Sequence, residues 1–308
     1  MISFGSDPEF MLVDANKTHK SAIGIIQGDP ENRITLKGHQ FYHDNVMAEC
    51  AIKPARSKKK VLENFKECFG LYAQMAAPYQ LCTQASQTYP ESELRHPMAR
   101  IAGCEPDCCA YEMVQKKPPK DIIENTGFRS CGGHIHIGHP ALVSDGTEPW
   151  LTIYMLDLFL GVPSLWLDTD PTSGARRLLY GQSGRYRPKD YGIEYRSLGN
   201  FWLKSPRLVS LMFDICNFVV AMVVEGEASE YWTFDEEVFG ESETPSDAWT
   251  CRLYDAPQLK EGIDKGDKEA VESHYNLARS RLPAKLLRDL DAALKSPSDE
   301  FYKAWQIA

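Results

Sequence analysis

Residues Phe128 to Gly138 alternate in character and read as a single β-strand. Side chains two apart in a strand share a face. His134 and His136 therefore point one way, while Ile135 and Ile137 point the other way, where helices can cover them. A sheet with one polar, ionisable face and one apolar face needs a covering layer, so this segment calls for sheet and helix in one core.

The rest of the chain fits that demand. Ile2 to Val13 is rich in β-formers and stops at Asp14-Ala15-Asn16, and a second extended segment runs from about Phe41 to Ile52 before Pro54. Ser57 to Ala77 carries apolar positions at helical spacing, with Ser57 as N-cap. Thr83 to Pro119 is aperiodic and reads as loop with short strands, and Asp168 to Asp190, rich in Asp, Pro, Gly and Arg, reads as loop. A strand follows at Tyr191 to Leu198, then an apolar helix from Pro206.

Trp150 to Leu167 and Leu208 to Val224 are apolar, but Asp157, Gly161 and Pro163 interrupt the first and Asp214 and Asn217 the second. A bilayer span needs ~20 uninterrupted apolar residues, so both read as helices buried against a sheet, with no membrane partner. Beyond Glu225 the composition turns acidic, and Pro283 to Ala308 reads as surface helices. A chain of 308 residues can bury one large core. Residues 1–225 are read as that core and 226–308 as a helical extension of the same domain.

Charge and cysteine usage narrow the function classes. With 34 Lys and Arg against 43 Asp and Glu, the net charge is -9, which argues against a general nucleic-acid binder. The basic run Arg56 to Lys60 precedes an amphipathic stretch and reads as a solvated helix start. Nine cysteines without a CxxC pair fit a reduced, cytoplasmic protein. Cys104, Cys108 and Cys109 lack a second ligand pair and read as loop or buried thiols rather than a zinc cluster.

Four separated segments place ionisable groups on strand faces. Asp7 and Glu9 share one face across Pro8, which suggests an edge or a bulge there. Glu49 follows Asp44 in the second extended segment, His134 and His136 form the third set, and Glu194 and Arg196 the fourth. Carboxylates gathered on one sheet face repel one another and are costly to bury unless cations neutralise them. Oxygen ligands with an occasional imidazole suit Mg²⁺, with Mn²⁺ as an alternative. An arginine beside a metal-binding glutamate makes sense if an anion lies there too, and phosphate is the obvious candidate.

In these segments the chain resembles the glutamine synthetase-like carboxylate–amine ligases, which include glutamate–cysteine ligases. Its closest resemblance is to the phage-associated carboxylate–amine ligase type 2 group. The resemblance runs through Gly5-Ser6-Asp7-Pro8-Glu9-Phe10, Cys131 to Gly138, and Tyr180-Gly181-x-x-Gly184-x-Tyr186-Arg187 into Tyr191 to Arg196. It implies an α+β fold, with a curved, mostly antiparallel sheet carrying the active site on one face and helices on the other.

The resemblance also implies ATP as co-substrate, Mg²⁺ or Mn²⁺ as cofactor, and amide formation between a small-molecule or peptide carboxylate and an amine through an acyl phosphate. On the matching positions, Glu9 and Glu49 would hold one metal near the acceptor, and Asp7, His134 and Glu194 would hold the metal bridging the ATP phosphates. Arg196 would steady the phosphoryl group, with Glu49 and Arg187 in the catalytic group. Arg185 and Arg187 would contact nucleotide phosphates, His136 would face nucleotide or substrate, and Asp44 would add a ligand or hold a water. The loop from Gly103 to Tyr111 resembles a family loop but departs from it at Cys108-Cys109. Family members often assemble into homo-oligomers, and a phage-encoded member would act in the host cytoplasm.

Three other readings fit parts of the pattern. His134, His136 and one carboxylate could form the facial triad of a metal-dependent oxygenase or hydrolase, which leaves Arg196 and the other acids unexplained. A phosphagen-type kinase would use a related scaffold, and a non-catalytic virion or structural protein could carry the same fold.

Overall fold

The computed structural model describes all residues except 102–105, 118–119, 144–145, 243, 296–299 and 308, and it is α+β. Twelve strands form one sheet, and every strand pairing in it is antiparallel among the described residues. From one edge inward the order is Val114–Lys116, Asp107–Cys109, Arg185–Lys189, Gly192–Tyr195, Ile135–Gly138, Ser3–Ser6 and Met47–Ala55, and then outward through Glu9–Val13 to His19–Lys20. His39–Asp44 also pairs with Met47–Ala55.

Ser3–Ser6 and Glu9–Val13 both pair with Met47–Ala55. Between them the chain leaves strand geometry for two residues, Asp7 and Pro8, and the register shifts between Phe4 and Ser6. The bulge expected at Pro8 is not there: Ser6 opposite Ile52 and Glu9 opposite Glu49 keep one register across the break, and the irregularity lies one step earlier, between Phe4 and Ser6. Pro8 donates nothing, but its carbonyl accepts the Cys50 N–H at 3.2 Å, so the ladder resumes at once.

The expected strand over Phe128 to Gly138 is broken. Phe128–Ser130 pairs with Ser86–Thr88 in a separate small sheet, and only Ile135–Gly138 joins the main one. The two glycines between them explain the break. A Cβ on Gly132 would stand 2.2 Å from His134 Nε2, and one on Gly133 would stand 2.5 Å from the Gly199 carbonyl. The backbone passes here where no side chain fits.

The expected 168–190 loop holds a short helix, Ser173–Arg177, and a strand, Arg185–Lys189. Gly184 and Pro188 disguised that strand, in which Arg185, Arg187 and Lys189 alternate with Tyr186 and Pro188.

Three helical runs cover the apolar face. Lys58–Ala76 starts at Ser57, whose hydroxyl accepts the Lys60 N–H, as the N-cap reading expects. The basic run at its start is solvent-facing, with Lys59 and Lys60 near Glu63. Pro206–Val224 starts at a Ser205 cap. Glu148–Leu156 continues through a π turn at Asp157–Gly161 into Val162–Leu167. Pro163 has no N–H for the regular ladder, and Val162 N–H reaches the Asp157 carbonyl five residues back.

By length and composition, Glu148–Leu167 and Pro206–Val224 could each cross a membrane, and 83% and 61% of their apolar windows are buried within the protein. Both pack into a single hydrophobic core with Ile135, Ile137 and Ile193. The C-terminal part joins the same core rather than only coating it. Trp305 and Phe301 are buried against Phe69, and Leu259, Ile263 and Leu290 are buried in the cluster. That part also holds an unforeseen hairpin, Trp232–Phe234 with Trp249–Cys251.

Candidate cation and anion site

The polar face of the sheet gathers the ionisable groups singled out in the sequence. His136 stands opposite Glu194 on one neighbouring strand and Gly5 on the other, and Glu194 stands opposite Arg187. Glu9 stands opposite Glu49, which in turn stands opposite Tyr42. Asp7, Glu9, Asp44, Glu49, His134, His136, Arg187 and Arg196 all line one cleft of about 1060 Å³, open to solvent.

At its wall, with Glu194 buried behind, ligand atoms of Asp7, His134 and Glu194 lie within 4.8 Å of one another. Asp7 Oδ1 lies 3.3 Å from His134 Nδ1 and 3.0 Å from His136 Nε2. Glu194 Oε1 lies 3.6 Å from His134 Nδ1. Asp7 Oδ1 and Glu194 Oε2 are buried without a well-formed hydrogen bond, although imidazole and ammonium groups stand at ion-pair distance. A half-buried and a buried carboxylate beside an imidazole are the donor set of a hard divalent cation.

Cationic side chains crowd the same carboxylates. Arg196 pairs with Glu194 and approaches His134 Nδ1 at 3.3 Å. Arg187 lies 3.5 Å from Glu194 Oε1, and Lys189 lies 2.9 Å from its Oε2. Burial and Asp7 push the fully buried Glu194 carboxyl up, but Arg196, His134 and His136 outweigh them and hold it at about 2. Burial also pushes Asp7 up, and the two histidines hold it well below the usual carboxylate range. His134 is driven down to about 4 by burial and by Arg196, so it is a neutral imidazole at neutral pH. For His136, burial lowers the pKa but Asp7 and Glu194 raise it further. Tyr191 Oη lies 2.7 Å from the other nitrogen of His136.

The second acidic set behaves differently. Burial and Asp44 raise the Glu9 carboxyl to about 7 against the pull of the Gly132 N–H and Arg196. Burial together with Glu9, Asp44 and Asp7 raises Glu49 well above its ordinary value. Glu9 is fixed twice by one glycine: its N–H donates to the Gly132 carbonyl at 3.1 Å, and its Oε2 accepts the Gly132 N–H at 2.7 Å. Tyr42 donates to Glu49 Oε1 at 2.5 Å. Three acids that resist ionisation side by side form a site short of positive charge.

Arg185 departs from this gathering. It pairs with Asp107 at 2.6 Å and is not among the side chains lining the cleft. Asp107 also faces Arg196 Nε at 3.4 Å, so it sets two arginines at once.

Sequence reading missed Asp107, Tyr42, Lys189, Arg33 and Tyr191. The alternation of Arg185, Arg187 and Lys189 could have revealed Lys189, and Tyr42 sits two residues before Asp44 on an extended segment. Cys108 is half-buried and Cys109 buried on the Asp107–Cys109 strand; the cation-type cluster found among the described residues holds no cysteine. Cys104 and the start of its loop lie outside the described residues.

A carboxylate–imidazole cluster ringed by guanidinium and ammonium groups, on the open face of an antiparallel sheet, has the make-up of sites that hold a cation and an anion together. Residues 123–237 match the family model described as phage phiEco32-like COOH.NH2 ligase-type 2. That is the family the sequence resembles, and its name is that of a carboxylate–amine ligase. The matched stretch carries His134, His136, Arg185, Arg187, Glu194 and Arg196, while Asp7, Glu9 and Glu49 precede it. No curated protein matches the chain.

Proposed function

We propose that this protein is an ATP-dependent carboxylate–amine ligase on a glutamine synthetase-like scaffold, working through an acyl phosphate. The observation that carries the reading is the convergence of Asp7, His134 and Glu194 within 4.8 Å beside the guanidinium groups of Arg196 and Arg187. The family match over 123–237 supports it independently of Asp7.

Asp7, His134 and Glu194 would hold one Mg²⁺ or Mn²⁺ ion, and Glu9 with Glu49 a second, Asp44 standing beside them. Such ions neutralise phosphate charge and polarise the oxygens they touch. The chain's own groups do the rest. Arg196 and Arg187 bind the transferring phosphoryl oxygens, a role that depends on position and charge rather than on a protein nucleophile. Asp107 orients Arg196, and Tyr191 orients His136.

The substrate carboxylate attacks the γ-phosphorus and ADP leaves. The amine then displaces phosphate from the acyl carbon, giving the amide. The amine's proton passes to a carboxylate beside the acceptor that is not engaged by a cation.

The test is ADP release from ATP with Mg²⁺ or Mn²⁺ across a panel of acids and amines, followed by mass analysis of condensed products. ADP formation that needs both an acid and an amine supports the reading. Nucleotide binding absent at millimolar ATP and Mg²⁺ would overturn it. A two-histidine, one-carboxylate oxygenase site gains some support from the contact of Asp7 with both imidazoles. Iron retained through purification, with turnover indifferent to nucleotide, would favour that alternative.

A further inference from the structure

A second chamber opens off the cleft, and the two share Glu9, Asp44, His134 and Arg196 in their walls. Anything reacting at those four residues can therefore extend either way. The shared end is polar and charged. The rest of the wall, its far end, is different: Met47, Ile101, Ile123, Phe128 and Leu179 outnumber Asn45, Ser130 and Tyr180 there.

Two buried arginines, Arg129 and Arg176, also border the chamber, and their hydrogen bonds decide what it can take. Arg176 donates to the carbonyls of Cys131, Ser197 and Arg196 at 2.7, 3.2 and 3.3 Å. Arg129 donates to Asn45 Oδ1 at 2.9 Å and to the carbonyls of Thr126, Phe128 and Ala99 at 2.9, 2.7 and 2.5 Å. At 4% and 2% exposure, Arg129 and Arg176 hold the surrounding loops rather than present a fork to a ligand. Among the described residues neither forms an ion pair, and with their donors spent on carbonyls and Asn45 neither offers a second anion-binding fork.

The surface left to a ligand at the far end is largely apolar. Ile101 is 57% exposed at the rim, an arrangement that gains free energy when an apolar group covers it.

We infer that this chamber selects the acid substrate: a carboxylic acid whose single carboxylate lies at the Glu9–Arg196 end and whose chain is aliphatic or aromatic, filling the space among Ile101, Ile123, Phe128 and Leu179. The inference rests on the ligase reading for its direction, because it takes the shared end to be the reacting end. It places the specificity of the acid in residues that touch neither of the proposed metal groups.

The experiment is calorimetric titration of the full chain with two acids that differ only at the far end, 4-phenylbutyrate and glutarate, each with Mg²⁺ and a non-hydrolysable ATP analogue present. The nucleotide analogue is also titrated alone. The expected result is at least about tenfold tighter binding of 4-phenylbutyrate, the equivalent of about 1.4 kcal/mol. That preference should be lost in Ile101→Asp, a rim substitution that leaves the core intact, and in Leu179→Asp, with nucleotide binding unchanged in both.

Glutarate binding as tightly as 4-phenylbutyrate, or neither acid binding while nucleotide binds, overturns the inference and leaves the ligase reading standing. Binding of 4-phenylbutyrate that responds to the two variants, in a protein that binds no nucleotide, supports the chamber and overturns the ligase reading instead.

Discussion

Glu9 and Glu49 face each other directly across two antiparallel strands, the first half-buried and the second buried. Like charges opposite one another in a sheet are destabilising. This pair is the least comfortable element of the site without a cation. Its discomfort can be measured.

For Glu9 the folded-state pKa of about 7 lies above the ordinary value of 4.5. A carboxyl raised in this way contributes its stability fully below the unfolded value and loses it as pH rises through the folded value. Metal-free protein should therefore lose stability between about pH 4.5 and 7, and Glu9→Gln should flatten that decline. Urea unfolding at pH 5 and pH 8 checks this: the variant's stability relative to the native chain should improve by about 2–3 kcal/mol across the interval. Metal binding should release protons at pH 6.5, visible as a dependence of the calorimetric enthalpy on buffer.

Glu194 runs the other way. It is fully buried, with Arg196, Arg187 and Lys189 around it. Glu194→Gln leaves these cations without their counter-charge and should cost about 3 kcal/mol or more of folding stability. The same variant should lose Mg²⁺-dependent nucleotide binding, and chemical denaturation beside calorimetry separates the two effects.

Asp7 is what keeps His136 protonatable despite its burial. In Asp7→Asn the burial of the ring should dominate, and the His136 pKa should fall below the usual histidine value. A proton NMR titration of the imidazole resonances reads this directly. A His136 pKa that stayed above the usual value in the variant would contradict the contact at 3.0 Å.

The two neighbouring arginines should part company in kinetics. Arg187 lines the cleft, so Arg187→Ala should raise the KM for ATP about tenfold through a lost phosphate contact. Arg185 is held by Asp107, which also faces Arg196, so Arg185→Ala should act chiefly on kcat by loosening Arg196. Steady-state ADP release with ATP varied distinguishes them.

Much of the site was legible because a strand's period of two is readable from residue order. Asp7 with Glu9, His134 with His136, and Glu194 with Arg196 were all paired on that ground; five of them line the cleft, and Glu194 lies buried behind it, 3.6 Å from His134. The limits of that reading are equally physical. Gly132-Gly133 looks like one more step of an alternating strand, yet the backbone breaks there because neighbouring atoms leave no room for a side chain. Pro188 and Gly184 look like loop punctuation, although Pro188 sits in register opposite Ile193. Asp107 was invisible because its partners, Arg185 and Arg196, are 78 and 89 positions away in the sequence, and no local pattern announces a contact of that kind.

The break between strands at Asp7 and Pro8 has a consequence for how the site is put together. Asp7 sits at the break between two strands that both pair with Met47–Ala55, and it meets His134 and His136 from the middle of the chain and stands near Glu194. No contiguous fragment of the sheet contains a working subset of these groups. A truncated chain that ends before Gly192–Tyr195 keeps Asp7 and His134 but lacks Glu194, so the three-sided cluster exists only in the finished sheet.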